Sequence, residues 1–276
     1  MFYLNETFKK AWKDDDPYER AWALQGEVYR SLESRKTVRF DLDGRAYFAK
    51  VHWGVGWREI FKNCLQLRWP VLSARNEWRA IERLKDLGID TMTPVAYGVE
   101  GWNPAKLHSF IVTEALDSTE SLEEYCSEWS NDRPPFRQKL SLLKKVSEIS
   151  KKMHDHGVNH RDFYICHLLL VKRSLCEQQG GLEPQIFIID LHRAQVRNHT
   201  PTRWRVKDIG GLLFSTLGNG LTKTDLFRFM KIYSGKSLRS TLLEDRAFWE
   251  DVFRRGCKMY LKSDNALPDW MTQTTV

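Results

Sequence analysis

Two alternating runs, Thr37 to Leu42 (TVRFDL) and Arg45 to Val51 (RAYFAKV), flank the dipeptide Asp43-Gly44. Apolar and polar residues alternate with the period of two of a half-buried strand. Asp-Gly tolerates the positive φ that a two-residue type I′ turn demands at both positions. The segment is therefore a β-hairpin whose register the turn sets. On its second strand Ala46, Phe48 and Lys50 share a face, which places a cation beside apolar neighbours. A lysine at a strand end commonly reaches out to water, so Lys50 alone decides nothing.

The rest of the chain divides by period. A strand is expected near Glu27 to Arg30, followed by the polar connection Ser31 to Lys36. Helical spacing over Ser73 to Leu87 stops at Gly88, and short strands follow at Pro94 to Val99 and Ser109 to Glu114. Pro135 to His156 reads as a long helix: Leu140, Leu143, Val146, Ile149 and Met153 stay close to a 3.6-residue period, and Gly157 ends it. Strands at His167 to Val171 and Gln185 to Ile189 come next, and from Asp208 the pattern is mostly helical. Strands dominate residues 1–115 and helices most of 116–276, the outline of an α+β protein in two lobes.

Composition narrows the classes of function. The 276 residues carry 43 Lys and Arg against 36 Asp and Glu, a net charge of +7, with 42% hydrophobic residues. That is a globular composition, which excludes disordered, collagen-like and coiled-coil chains. The longest uncharged run, Ile209 to Thr222, is shorter than the roughly 20 residues a membrane-spanning helix needs. The N-terminus lacks a secretory pattern. Five scattered cysteines, Cys64, Cys126, Cys166, Cys176 and Cys257, read as free thiols of a reducing cytoplasm. The positive balance suits a polyanionic partner.

Four polar features carry chemistry. Lys50 is the first. Glu77 lies in helical register with Ile81, Leu84 and Gly88, beside the apolar stripe, where a carboxylate is costly unless a cation pairs with it. His160-Arg161-Asp162 stands in the turn after the long helix, and Asp190 at the exit of the apolar strand Ile186 to Ile189. Strand Lys, helix Glu, H-R-D and a strand-ending Asp occur in the order of the protein-kinase signature, each in the matching element.

On these residues, and on the runs Gly157 to His167 (GVNHRDFYICH), Ile189 to Gln195 (IDLHRAQ) and Leu87 to Met92 (LGIDTM), the chain resembles the lipopolysaccharide core heptose(I) kinase family over nearly its whole length. The resemblance implies a protein-kinase-like fold with a β-rich N-lobe and a larger helical C-lobe. It also implies ATP as donor, Mg²⁺, and the 4-hydroxyl of heptose I as acceptor. Asp162 would take or orient the proton of the attacking hydroxyl. Lys50, positioned by Glu77, would hold the α- and β-phosphates, and Asp190 would bind Mg²⁺. Backbone groups of Glu114 to Leu116 would meet the adenine. Four departures stand out: His167 stands as a candidate metal ligand where kinases have a second metal-binding Asn, and Tyr164 replaces a Lys whose positive charge Arg193, three after Asp190, would supply. No glycine-rich phosphate loop is present, which leaves Ser34 and Lys36 of the Ser31 to Lys36 turn to cover the phosphates. Phe48 replaces a small residue at the adenine.

From Leu191 to Lys207 there are Arg193, Arg197, Arg203, Arg205 and Lys207 and no acid, a segment suited to the carboxylates and phosphates of a lipid-linked core acceptor. Trp57, Ile60, Phe61, Cys64 and Leu65 form a helical stripe that either packs on the first lobe or lies against a membrane surface. The expected location is cytoplasmic and peripheral on the inner membrane, with an acidic protein as a further partner. Nucleic-acid motifs are absent. Two other readings compete: a binding module, either a kinase-like pseudoenzyme or a basic protein that holds anionic lipid without phosphotransfer, and a metal hydrolase built on His154, His156, His160, Asp162, His167 and His192. The second fails on spacing, because His154 and His156 point apart on a helix and it leaves Lys50 and Glu77 unexplained.

Overall fold

The computed structural model describes residues 2–13, 15–32, 35–65, 73–175, 183–263 and 265–272. Ser34, Cys176, the side chain of Cys64 and residues 66–72, which follow the stripe, lie outside the described residues. The chain forms two compact units. Unit 1 takes in the residues up to Glu82, Thr91–Asp117 and Leu191–Arg193; unit 2 takes in Arg83–Asp90, Ser118–Asp190 and the residues from Ala194.

Unit 1 is built on a six-stranded antiparallel sheet. Its strands are β1 (Phe2–Leu4), β2 (Glu27–Leu32), β3 (Arg35–Leu42), β4 (Arg45–Trp53), β5 (Pro94–Glu100) and β6 (His108–Glu114), in the order β1-β5-β6-β4-β3-β2. The expected hairpin is β3–β4. Asp43 and Gly44 take φ of 50° and 75°, and the register pairs Leu42 with Arg45 and Thr37 with Lys50. Tyr47, Ala49 and Val51 point to the core, where Phe8 meets Tyr47 edge-on at 5.2 Å. Phe8 belongs to α1 (Glu6–Ala11), which with α2 (Pro17–Ala23) covers this face. Both helices start on side-chain caps, Asn5 accepting from the Phe8 amide and Asp16 from those of Tyr18 and Glu19. Between β4 and β5 come α3 (Gly56–Leu65) and α4 (Arg75–Asp86), whose last residues belong to unit 2.

Unit 2 is mainly helical. β7 (Thr119–Ser121) and α5 (Leu122–Tyr125) lead to α6 (Phe136–Asp155), the long helix expected from its period. Short strands β8 (Val158–Asn159), β9 (Leu168–Val171), β10 (Ile186–Ile188) and β11 (Gln195–Val196) pair as β10-β9-β7 and β11-β8. Then follow α7 (Thr202–Thr216), α8 (Lys223–Ser234), α9 (Leu238–Glu244), α10 (Arg246–Leu261) and α11 (Asp269–Thr272). Helix α7 runs through the core, with Asp208 to Leu213 all buried. Gly210 and Gly211 make this passage possible, since a Cβ there would stand 2.8 Å from Arg255 and 3.1 Å from Tyr164. Among the described residues Cys126, Cys166 and Cys257 are free thiols, and no helix is long and apolar enough to cross a membrane.

Gly157 joins α6 to β8 at φ 82°, and a Cβ there would stand 1.8 Å from the Arg197 carbonyl oxygen. The Arg197 amide donates to the Gly157 carbonyl at 2.9 Å, which closes the β8–β11 pair. Gly157→Ala combines strain with a backbone clash and should destabilise the protein by about 2 kcal/mol or more. Chemical unfolding of the two proteins checks this.

Candidate active site

In unit 1, Lys50 Nζ donates to Glu77 Oε1 at 2.8 Å. Strand pairing sets the lysine opposite Thr37 and Ile111, and α4 supplies the carboxylate from its first turn. Glu77 is 1% exposed, while Lys50 keeps 24% of its side chain in solvent. A carboxylate so deeply buried needs its cation, and the cation still faces outward to meet a ligand. Ile81 and Leu84, predicted on the same stripe, are fully buried below it. His52, one strand position beyond Val51, is buried and its pKa is pushed down to about 3, first by burial and then by Arg35, Lys50 and His192. It is neutral and adds no charge beside Lys50.

In unit 2, the His160-Arg161-Asp162 turn is held from beneath by Asp208 of α7. Asp208 Oδ2 accepts the His160 amide at 2.6 Å and Oδ1 the Arg161 amide at 2.7 Å. Arg161 takes φ 77°, a conformation a non-glycine residue holds only when its surroundings impose it. Behind Asp208, His154 Nε2 lies 3.3 Å from Oδ2, and His154 Nδ1 lies 2.8 Å from the Tyr233 hydroxyl. His154, His160 and Asp208 are fully buried. His160 Nε2 donates to the Ile189 carbonyl at 2.9 Å, and burial pushes its pKa down, so the ring is a neutral strut between the turn and the strand exit.

That strand exit carries Asp190, also left-handed at φ 58°. His167 links it to the turn: Nδ1 donates to the Asp162 carbonyl at 2.7 Å and Nε2 lies 3.7 Å from Asp190 Oδ2. Burial lowers the His167 pKa, but the Cys166 side chain, the Asp162 carbonyl and the Asp190 charge outweigh it and hold it at about 9. His167 is thus a cation that braces Asp190. The donor set suits Mg²⁺ through Asp190: it offers a one-third-exposed carboxylate, and Mg²⁺ is commonly held by one or two carboxylates with water and substrate oxygens completing its shell. No group of three or more His, Cys, Asp or Glu side chains among the described residues forms a closed metal cage.

The remaining predicted residues fall as follows. The amides of Glu114 and Ala115 donate to Thr93 and Ala46, which ties the segment entering Leu116 to the sheet. Lys36 Nζ donates to the carbonyls of Trp22 and Leu24 at the end of α2, so its charge serves a helix terminus. Arg205 is committed similarly, to the carbonyls of Thr200 and His154 and to Asp155. Arg193 belongs to unit 1, whereas Arg197 and Arg203 of unit 2 gather at the Trp204 ring. Trp57, Phe61 and Leu65 of the α3 stripe are 50%, 62% and 87% exposed, so packing does not account for them. Asp208 and its partners went unassigned in the sequence. Its one signal there is a lone acid heading the longest uncharged run.

Removing one member of the buried pair isolates the other. Lys50→Ala should cost about 3 kcal/mol in denaturant unfolding, and the paired change Lys50→Met, Glu77→Leu should recover most of it.

The profile of the lipopolysaccharide kinase (Kdo/WaaP) family matches residues 19–233. The lipopolysaccharide core heptose(I) kinase WaaP of Escherichia coli is 46% identical over 259 residues, 94% of this chain and 97% of that protein. Its namesake in Pseudomonas aeruginosa is 47% identical over 257 residues, 93% of this chain and 95% of that protein. A solved structure, WaaP in complex with acyl carrier protein, is similar with a TM-score of 0.80 at 43% identity, covering 94% of this chain and 99% of that one. The antiparallel sheet, the helical second unit and these relatives agree: the chain has a protein-kinase-like α+β fold, is a phosphotransferase, and belongs to the lipopolysaccharide kinase (Kdo/WaaP) family.

Proposed function

We propose that this chain is an ATP-dependent kinase that transfers the γ-phosphate to the 4-hydroxyl of heptose I in the inner core of lipopolysaccharide. The observation that carries the reading is the Lys50–Glu77 pair, a buried carboxylate holding a partly exposed cation. Residues 1–115 are the ATP-phosphate-holding part in this reading, and residues 116–276 the catalytic and acceptor-binding part.

Lys50 holds the α- and β-phosphate oxygens, and Glu77 fixes its position. Glu114 and Leu116 present backbone groups to the adenine. Asp162 accepts the proton of the acceptor hydroxyl as its oxygen attacks Pγ in line and the bond to the bridging β–γ oxygen breaks. Asp190 would hold Mg²⁺, which when bound neutralises charge on the β- and γ-phosphates; His167 braces Asp190. Transfer of this kind is accelerated chiefly by alignment and charge neutralisation, which explains why rigid struts surround both aspartates.

The acceptor is lipid-linked, and the exposed Trp57, Phe61 and Leu65 beside Arg58 and Lys62 suit peripheral contact with the cytoplasmic face of the inner membrane. The solved relative is in complex with acyl carrier protein. An acidic carrier protein is accordingly a partner in this reading. The net charge of +7 suits it, and unit 2 holds an apolar cavity of about 110 Å³, lined by residues such as Leu142, Leu212 and Phe229, that would take an alkyl chain.

Transfer of labelled γ-phosphate from ATP to purified core acceptor tests the assignment. The wild type should transfer; Asp162→Ala should lower kcat by about 10²–10⁴ with the ATP KM little changed. Equal turnover by the variant would remove Asp162 from the chemistry.

A further inference from the structure

One indole in unit 2 is ringed by positive charge. The guanidinium carbons of Arg161, Arg203 and Arg197 lie 5.0, 5.2 and 5.8 Å from the Trp204 ring centroid, and Lys207 Nζ lies at 5.6 Å. The four come from three places in the chain: the catalytic turn, the exit of β11 and the first two turns of α7. Cation–π attraction to the ring helps to offset their mutual repulsion. The cluster is built in place. Arg197 is oriented by Asn159 Oδ1 and Gln195 Oε1, each at 2.6 Å, and the Arg161 backbone is fixed by Asp208. The pKa of Arg197 is lowered by burial and by the Arg203 charge, a sign of charges held close. Helix α7 adds to the field: it begins at Pro201 without a side-chain cap and has no acid in its own first turn.

Oriented guanidiniums suit a tetrahedral oxyanion, whose oxygens accept several charge-assisted hydrogen bonds at once. A dianion answers a cluster of four cations better than a monocarboxylate does. We propose that Arg161, Arg197, Arg203 and Lys207 around Trp204 form a phosphate site that takes a phosphate group carried by the acceptor. Because Arg161 immediately precedes Asp162, a phosphate bound there also fixes the turn that carries the base. The acceptor part rests on the kinase reading above; the phosphate site itself does not. It also separates the basic segment by role, with Arg197 and Arg203 binding the anion and Arg205 holding backbone carbonyls.

Titration of inorganic phosphate into the full chain tests the site without any turnover. Arg203→Gln, Lys207→Gln should weaken phosphate binding at least about tenfold relative to wild type, while Arg203→Lys keeps most of it. Arg203→Gln alone, at an exposed position, carries the same test if the double variant folds poorly. In transfer assays the double variant should raise the KM for phosphorylated acceptor about tenfold and leave the ATP KM within about twofold; acceptor stripped of phosphate should not distinguish it from wild type. Unchanged phosphate affinity in the variants overturns the site. Weakened phosphate binding with no change in KM for phosphorylated acceptor identifies free phosphate as the ligand and overturns the acceptor assignment. If the wild type transfers to no acceptor, the kinase reading fails, and the phosphate titration still decides the site.

Discussion

The His160-Arg161-Asp162 turn depends on Asp208. Its two carboxyl oxygens accept the amides of His160 and Arg161, and no water reaches it to share the work. A left-handed Arg161 is unfavourable for an isolated chain; two short hydrogen bonds from a buried acid make it the stable conformation here. The acid in turn needs support. His154 Nε2 lies against Oδ2, and its Nδ1 lies against the Tyr233 hydroxyl. Asp208 can stand at this depth because Gly210 and Gly211 let α7 pass close to its neighbours. Packing, polar satisfaction and backbone strain therefore converge on one residue, and the turn that carries Asp162 is fixed as the result.

Strain and charge elsewhere follow the same economy. Of the described non-glycine residues, Asp43, Ser118, Arg161 and Asp190 have positive φ. Asp43 is explained by its turn type, and two of the others belong to the predicted catalytic set. His160 and His167 tie those two together, one as a neutral donor to the Ile189 carbonyl, the other as a cation facing Asp190. Unit 1 uses the simpler device of the Lys50–Glu77 ion pair, with a neutral His52 nearby.

The sequence disclosed those features whose cause is local. The β3–β4 hairpin follows from Asp-Gly and alternation, α6 from its period and Gly157, and the Lys50, Glu77, Asp162 and Asp190 positions from order and element type. Asp208 escaped because its partners lie more than 40 residues away, and nothing near it marks a carboxyl that binds backbone amides. Lys36 and Arg205 show the converse: their charges looked available for phosphate, but carbonyls at helix ends claim them. Trp204 was one tryptophan among eleven, and only the fold brings Arg161 to it. The caps at Asn5 and Asp16-Pro17 were legible signals of α1 and α2 that periodicity alone passes over.

The most direct test of this account is Asp208→Asn, which keeps size and burial but turns one acceptor into a donor facing an amide. Its kcat for phosphate transfer should fall at least about tenfold with the ATP KM within about twofold, and the amides of His160 and Arg161 should exchange faster with solvent. Unchanged kcat together with unchanged exchange at those two amides would contradict the claim that Asp208 holds the catalytic turn.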